Sequence, residues 1–152
     1  MFLRALAAFV ALPGMVAFVV PFLLLGDRHA SRSPALPGIV VGVVGLLILL
    51  GCVRSFYVEG KGTLAPWSPP KRLVRGGLYR FSRNPMYVGV LLVLAGWALA
   101  FGALTLAFYA AVVAAAFHLR VLLAEEPTLA RLFGAEWDAF RRHVPRWIGR
   151  PR

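Results

Sequence analysis

The chain has 152 residues, of which 60% are hydrophobic and 15% are charged, and its formal net charge is +11. A soluble domain of this size carries roughly 25% charged residues, so the composition excludes an ordinary water-soluble protein and indicates one integral membrane domain. Basic charge in such a protein usually follows from topology and anionic lipid. The sequence contains no basic stripe with interleaved aromatic residues, so no nucleic-acid partner is expected.

Apolar stretches predict the membrane-spanning helices. The first is uncharged from Ala5 to Leu25, longer than the usual 7–15 residue apolar region of a signal peptide, so we read it as a retained span. The uncharged stretch 86–119 would be about 51 Å long as one helix, too long for one crossing of a core ~30 Å thick. It therefore predicts two spans that turn near Gly102. The four predicted spans cover about residues 5–25, 36–53, 86–101 and 103–124.

A C-terminal amphipathic helix is predicted over residues 127–144. Leu129, Phe133, Trp137 and Phe140 recur at helical spacing with charged residues on the other side, which is typical of a helix that lies on a membrane or caps a bundle. The predicted fold is an all-α integral membrane protein with four transmembrane helices, the last two forming a hairpin, and this amphipathic helix.

The positive charges predict the orientation. Only Arg28 and Arg32 lie between the first two spans, and the other fifteen of the 17 lysines and arginines lie in the N-terminus, the 54–85 segment and the C-terminal tail. Because loops rich in Lys and Arg stay in the cytoplasm, we predict a multi-pass protein of the cell (inner) membrane with both termini cytoplasmic.

The segment 54–85 is predicted to be a cytoplasmic loop with little regular structure. It is rich in glycine and proline, and such a long loop in a compact protein is often functional. The one cysteine, Cys52, has no partner within the chain and belongs to no CxxC motif, which excludes an intramolecular disulfide and leaves a buried thiol as the simplest interpretation.

Titratable residues concentrate near the end of the fourth span. Glu125 and Glu126 are adjacent, so on a helix they point about 100° apart, and one could accept hydrogen bonds from a ligand while the other pairs with an arginine. Two solvated acids at a helix end are an equally good interpretation from the residues alone. His118 is a candidate base or proton relay. It has no second ligand at helical spacing, so no metal site is predicted.

Two segments together resemble a known family. "LVRGGLYRFSRNPMYVG" (73–89) and "EEPTLARLFGAEWDAFRRHVPRW" (125–147) resemble the isoprenylcysteine carboxyl methyltransferases and the related phospholipid N-methyltransferases, over roughly residues 60–147. The resemblance implies a membrane methyltransferase that uses S-adenosyl-L-methionine without a Rossmann domain. In the family the cofactor lies in a cytoplasmic pocket roofed by the loop and the C-terminal helix.

The motifs imply a set of cofactor-binding residues. The resemblance carries such a role to Lys71, Leu73, Val74, Tyr79, Asn84, Pro85, Met86, Tyr87 and Glu125. Arg83 is a further candidate, because either its guanidinium or backbone N–H groups in the glycine-rich turn could bind the cofactor's carboxylate.

Two positions depart from the family pattern. The carboxyl methyltransferases of prenylated proteins typically carry His where this chain has Asn84, so the motif looks more like the phospholipid branch. The substrate-facing arginine expected before the glutamates is displaced by one position, because residue 121 is Val and Arg120 precedes it. A one-residue shift turns a helical side chain by about 100°, which leaves the role of Arg120 open.

The function expected from these features is methyl transfer from S-adenosylmethionine to a lipid or other lipophilic acceptor. The acceptor atom could be N, O or S, and an amine would have to lose a proton, for which Glu126 and His118 are the candidate bases. The alternatives are an NADPH-dependent membrane reductase of the sterol-reductase type and a non-enzymatic membrane assembly protein that binds anionic lipid. Membrane lipids and a lipophilic acceptor are the expected partners.

Overall fold

A computed structural model describes residues 10–26, 33–55, 58 and 72–149, and within these ranges the regular structure is entirely helical. The all-α prediction is therefore confirmed for this part of the chain. In chain order the elements are a π-helical segment (Val10–Val19), α1 (Val20–Leu25), α2 (Leu36–Ser55), a 3₁₀ helix (Gly77–Arg80), α3 (Pro85–Phe101), α4 (Leu104–Arg120), a π turn (Val121–Glu125), α5 (Glu126–Phe133) and α6 (Ala135–His143).

Two of the described helices are long and apolar enough to cross a membrane, Leu36–Ser55 and the continuous helix Leu104–Phe133. The apolar helices Pro13–Leu25 and Pro85–Phe101 are shorter, although the 17 residues of α3 reach the lower limit for crossing a core ~30 Å thick. Large apolar side chains on α2 and α4 are exposed, as with Leu47 and Phe108, which suits surfaces that face lipid. The number of four spans stays a prediction.

Helices α2 and α3 pack with their backbones in contact. A Cβ atom added to Gly45 would lie 2.7 Å from the carbonyl oxygen of Gly89, and one added to Gly96 would lie 2.6 Å from the Cα of Gly42. Small residues spaced one or two turns apart let helices in a membrane approach this closely. The glycine pattern of α2 thus has a packing reason, because it allows α3 to lie directly against α2.

Side chains of α3 and α4 donate hydrogen bonds to backbone carbonyls of the π-helical segment Val10–Val19 and so hold this segment against the two helices. Trp97 donates from Nε1 to the carbonyl of Ala17 (3.0 Å), and the Tyr109 hydroxyl donates to the carbonyl of Val16 (3.2 Å). Between them, Val90, Val93, Leu94 and Val113 form a buried apolar core with Ala17 and Leu49.

A glycine reverses the chain between α3 and α4. Gly102 has φ +59° and its N–H bonds to the carbonyl of Ala98, the left-handed helix end that glycine adopts without strain. The two helices are thereby antiparallel, so the start of α3 and the end of α4 lie at the same end of the bundle.

The C-terminal region differs from the single amphipathic helix predicted over 127–144. Helix α4 continues through the π turn into α5, and the chain then bends at Gly134, whose φ of +47° is unfavourable for residues with a Cβ. Helix α6 starts directly after this bend and buries Trp137 and Phe140 together with Val144. The predicted apolar face is present, but Gly134 divides it between two helices.

Candidate active site at the paired glutamates

Glu125 and Glu126 lie where the π turn passes into α5, and each makes a separate set of polar contacts. Glu125 bonds to residues of α3 and α4, whereas Glu126 bonds to the segment before α3 and to the C-terminal segment. One of the two equally good interpretations of the sequence was that one of the acids pairs with an arginine. In the structure both do.

Glu125 accepts hydrogen bonds from Tyr87 and Arg120. The Tyr87 hydroxyl donates to Oε1 of Glu125, and Nε of Arg120 donates to the same oxygen at 2.9 Å and to the Tyr87 oxygen at 3.1 Å. The Tyr87 ring also stacks on Phe117, with centroids 4.3 Å apart. Among the described residues Oε2 of Glu125 has no hydrogen-bond partner, so one carboxylate oxygen is held and the other is available.

The π turn is what brings Arg120 to Glu125. Residues five apart on an α-helix lie about 140° apart around its axis, too far for direct contact. A turn closed by i→i+5 hydrogen bonds accommodates one extra residue, and over Val121–Glu125 it places the two side chains on one face. The one-position displacement of Arg120 seen in the sequence is compensated locally by this turn.

Glu126 is held by two arginines from distant parts of the chain. Arg146 donates from Nε to Oε1 (2.8 Å) and from Nη2 to Oε2 (2.9 Å), and Nη1 of Arg83 lies 2.8 Å from Oε1. A bidentate arginine is among the strongest partners of a carboxylate. Both oxygens of Glu126 are thus already engaged.

Arg83 is the most buried member of this cluster. Its side chain is 10% exposed, its guanidinium lies 5.5 Å from the centre of the Trp137 ring, and its Nε has no hydrogen-bond partner within the described part of the chain. Burial lowers the pKa of Arg83 from its ordinary value, and the carboxylate of Glu126 opposes that effect. Two arginines on one carboxylate leave an excess of positive charge and an unused buried donor.

Backbone carbonyls of the C-terminal segment complete the contact. The N–H of Arg83 donates to the carbonyl of Pro145 (2.9 Å), and Asn84 Nδ2 and Ser82 Oγ donate to the carbonyl of Arg146 (3.1 and 3.4 Å). We call residues 82–84, Glu126 and residues 145–146 the C-terminal clasp. Asn84, predicted to contact the cofactor, uses its side-chain amide in this clasp.

Most of the other predicted cofactor residues belong to two apolar clusters. Val74, Tyr79 and Met86 pack with Cys52 beneath the start of α3, while Leu73 packs against Trp137 and Phe140 of α6. Burial raises the pKa of Tyr79 well above its ordinary value, and Cys52, its hydrogen-bond partner, raises it further, with smaller effects from Glu125 and Tyr87. Pro85 is buried at the first position of α3. Lys71 and about half of the predicted loop, residues 56–57 and 59–71, lie outside the described residues.

Two residues at this site were missed by reasoning from the sequence, Arg146 and Trp147. The exposed ring of His118 stacks on Trp147, with centroids 5.9 Å apart, so the C-terminal segment reaches α4 as well as α3. The signal available was the "PRW" that ends the second motif, but its distance from "SRNP" along the chain gave no reason to pair them.

In the ranges that the structure describes, no group of three or more His, Cys, Asp or Glu is arranged to hold a metal ion.

Comparison with known proteins gives one family match. The family model described as phospholipid methyltransferase matches residues 38–136, which include nearly all of α2, all of α3 to α5, Tyr87 and both glutamates. No curated protein and no solved structure gives a significant match. The match covers well over half of the chain and agrees with the resemblance seen in its motifs. The chain therefore belongs to the phospholipid methyltransferase family.

Proposed function

We propose that the protein transfers a methyl group from S-adenosyl-L-methionine to a lipid or lipophilic small molecule at the cytoplasmic face of the membrane. The observation that carries the proposal is the group formed by Tyr87, Arg120 and Glu125. This group lies at the end of an antiparallel helix pair, in a chain that belongs to a family of lipid-modifying methyltransferases.

The residues present suit the chemistry of the cofactor. Oε2 of Glu125, which has no partner among the described residues, can accept hydrogen bonds from ribose hydroxyls or an amino group. The Nε donor of Arg83, unpaired within the same ranges, suits a carboxylate. We assign to the cofactor's cation the face of the Tyr87 ring that is not stacked on Phe117. When bound, S-adenosylmethionine supplies a methyl group already activated by its positively charged sulfur.

The task of the chain is then mainly to position the reactants. Tyr87 and Arg120 hold Oε1 of Glu125 and so fix the direction of Oε2, while Pro85 and Met86 form the apolar start of α3 beside them. Binding that orients two reactants and excludes water accounts for a large part of the rate in such transfers. We assign Leu73, Val74 and Tyr79 to the apolar wall of the same site.

Arg120 is the residue best placed to meet an anionic lipid headgroup. Its side chain is 46% exposed, and among the described residues only its Nε is engaged, so both terminal nitrogens are available. Arginine forms bidentate contacts with phosphate through such a pair. The acceptor atom remains N, O or S in this proposal.

If the acceptor is an amine, His118 is a better candidate base than Glu126. Both oxygens of Glu126 already accept from arginines, whereas the described contacts of the His118 ring are limited to stacking on Trp147. A carboxylate or thiolate acceptor would need no such base.

The alternative functions are disfavoured by the family. The sterol-reductase type of enzyme transfers hydride from NADPH, and an assembly protein has no need of the bonded Tyr87–Glu125 pair, whereas the matching family is described as a methyltransferase.

Calorimetric titration with S-adenosylhomocysteine tests the cofactor. We expect binding by the wild-type protein in detergent or nanodiscs, and a loss of about tenfold or more in affinity in Glu125→Ala, because hydrogen bonds to a charged group contribute roughly 1.5–3 kcal/mol. Glu136→Ala is the matched control, since Glu136 is an exposed glutamate paired with Arg75. Absence of binding by folded wild-type protein, or equal affinity in Glu125→Ala, would contradict the proposal.

Methyl transfer itself is tested with labelled cofactor and a membrane lipid extract. Label should appear in the organic phase with wild-type protein and fall strongly with Glu125→Ala. If folded, cofactor-binding protein labels none of a wide range of extracts, the lipid acceptor is excluded.

A further inference from the structure

We infer that Glu126 and Arg146 are positioning residues, which orient Glu125 by closing the C-terminal clasp. The inference rests on the proposed function, since it assigns a role within the same cofactor site. The two adjacent acids then have different roles: Glu125 faces the ligand, and Glu126 holds the backbone that carries Glu125.

The first step of the argument is that Glu126 can serve only one purpose in this arrangement. Its carboxylate receives three donors, two from Arg146 and one from Arg83. Its side chain is 18% exposed, so the ion pairs are largely shielded from water. A carboxylate held in this way is firmly fixed and has little capacity left for a ligand.

The second step is that fixing Glu126 fixes Glu125. The two residues are adjacent at the junction of the π turn and α5, so a rotation of the backbone that redirects Glu125 would also withdraw Glu126 from both arginines. A π turn can relax to a regular α-helix by a shift of register. The ion pairs of Glu126 oppose that shift.

The third step concerns α3. Arg83 and Asn84 directly precede Pro85, the first residue of α3, and both bond to the segment 145–146. The clasp therefore holds the start of α3, and with it Tyr87, to the same point that anchors Glu126. The distance between Tyr87 and Glu125 is set from both sides by one network.

The experiment measures the clasp and the cofactor site separately. Amide hydrogen exchange at Arg83 reports the clasp, because this N–H bonds to the carbonyl of Pro145 and needs no cofactor. Affinity for S-adenosylhomocysteine reports the site. The variants are Glu126→Gln, Arg146→Gln and Arg146→Lys, with Arg142→Gln as the control that removes the same charge from an exposed arginine nearby.

We expect Arg83 exchange to accelerate by about tenfold or more in Glu126→Gln and Arg146→Gln, because removing one partner of a largely buried ion pair strands the other. Affinity for S-adenosylhomocysteine should fall in parallel, with partial recovery in Arg146→Lys and wild-type behaviour in Arg142→Gln. In a Glu125→Gln background, the further change to Glu126→Gln should cost little additional affinity, since coupled residues are not additive.

The outcomes are distinguishable. If exchange accelerates while affinity stays at the wild-type value, or if the losses from Glu125→Gln and Glu126→Gln are additive, Glu126 does not act through Glu125 and the inference is overturned while the proposed function stands. If the wild-type protein binds no S-adenosylhomocysteine, both are overturned.

Discussion

The hydroxyl of Tyr87 donates a hydrogen bond to the carboxylate of Glu125, 38 residues further along the chain. The contact joins the first turn of α3 to the end of the π turn after α4, and Arg120 bonds to both partners. One phenol thus connects the two helices of the hairpin at the end opposite their turn.

Tyr87→Phe removes this hydroxyl and keeps the ring that stacks on Phe117. We expect the affinity for S-adenosylhomocysteine to fall by about tenfold, since a hydrogen bond to a charged group contributes roughly 1.5–3 kcal/mol. Titration calorimetry provides the measurement. Tyr109→Phe is the control, because it removes a tyrosine hydroxyl bonded to the carbonyl of Val16, far along the sequence from the glutamates. Equal affinities in the two variants would show that the Tyr87 hydroxyl has no part in binding.

The π turn predicts an unusual tolerance to deletion. Removal of Leu123, which is 75% exposed, would leave Arg120 and Glu125 four apart on a regular α-helix, where such residues share a face. We expect cofactor binding to survive. Deletion of Leu119 from regular α4 would instead turn everything after it by about 100° and abolish binding. Loss of binding in both deletions, with folded protein, would contradict this account of the turn.

The close packing of α2 on α3 predicts opposite results at two neighbouring glycines. Gly45→Leu would force a Cβ to within 2.7 Å of backbone atoms of α3, and overpacking of this kind costs about 1–3 kcal/mol or more. At Gly42 an added Cβ would meet its nearest atom at 3.9 Å, so Gly42→Ala should be neutral or stabilising. Thermal unfolding in detergent should separate them clearly. A similar decrease in the unfolding temperature of both variants would show that the close approach of α3 to Gly45 is not what limits stability.

Tyr79 predicts a loss of stability at high pH. Burial raises the pKa of its phenol above the usual value, so the folded state binds this proton more tightly than the unfolded state. The stabilisation is complete below the unfolded pKa of about 10 and is lost as the pH rises towards the folded pKa. Denaturation at pH 8 and pH 10.5 should show a smaller pH effect in Tyr79→Phe. An identical pH effect in wild type and variant would exclude Tyr79 as its source.

The helices were accessible from the sequence because apolar length and proline or glycine breaks are local signals. Helix α2 starts one residue before Pro37 and α3 starts at Pro85, and Gly102 marks the reversal. Gly134 was visible as well, but the continuous apolar spacing from Leu129 to Phe140 concealed the bend that it allows. A positive φ depends on where α6 must pack, which no local pattern records.

The candidate site was predicted less completely, and for a physical reason. The motifs pointed to Tyr87 and Glu125, which the structure brings together, but the partner of Glu126 is Arg146, 20 residues away. Whether an arginine reaches a carboxylate at that separation depends on the bend at Gly134. The π turn could not be predicted either, because its only trace in the sequence is the one-residue displacement of Arg120.

The seam between α2 and α3 also restricts the route of any membrane-borne reactant. Where the backbones meet so closely that Gly45 and Gly96 have no room for a single Cβ, an acyl chain cannot slip between the helices. The α2–α3 contact is therefore closed to lipid. Leu104, Phe108 and Leu123 of the long Leu104–Phe133 helix are 82%, 71% and 75% exposed, so this helix presents apolar side chains outward along much of its length. Under the proposed function, a lipid acceptor therefore cannot reach the glutamates between α2 and α3, and the exposed apolar side chains of the long helix offer it another approach.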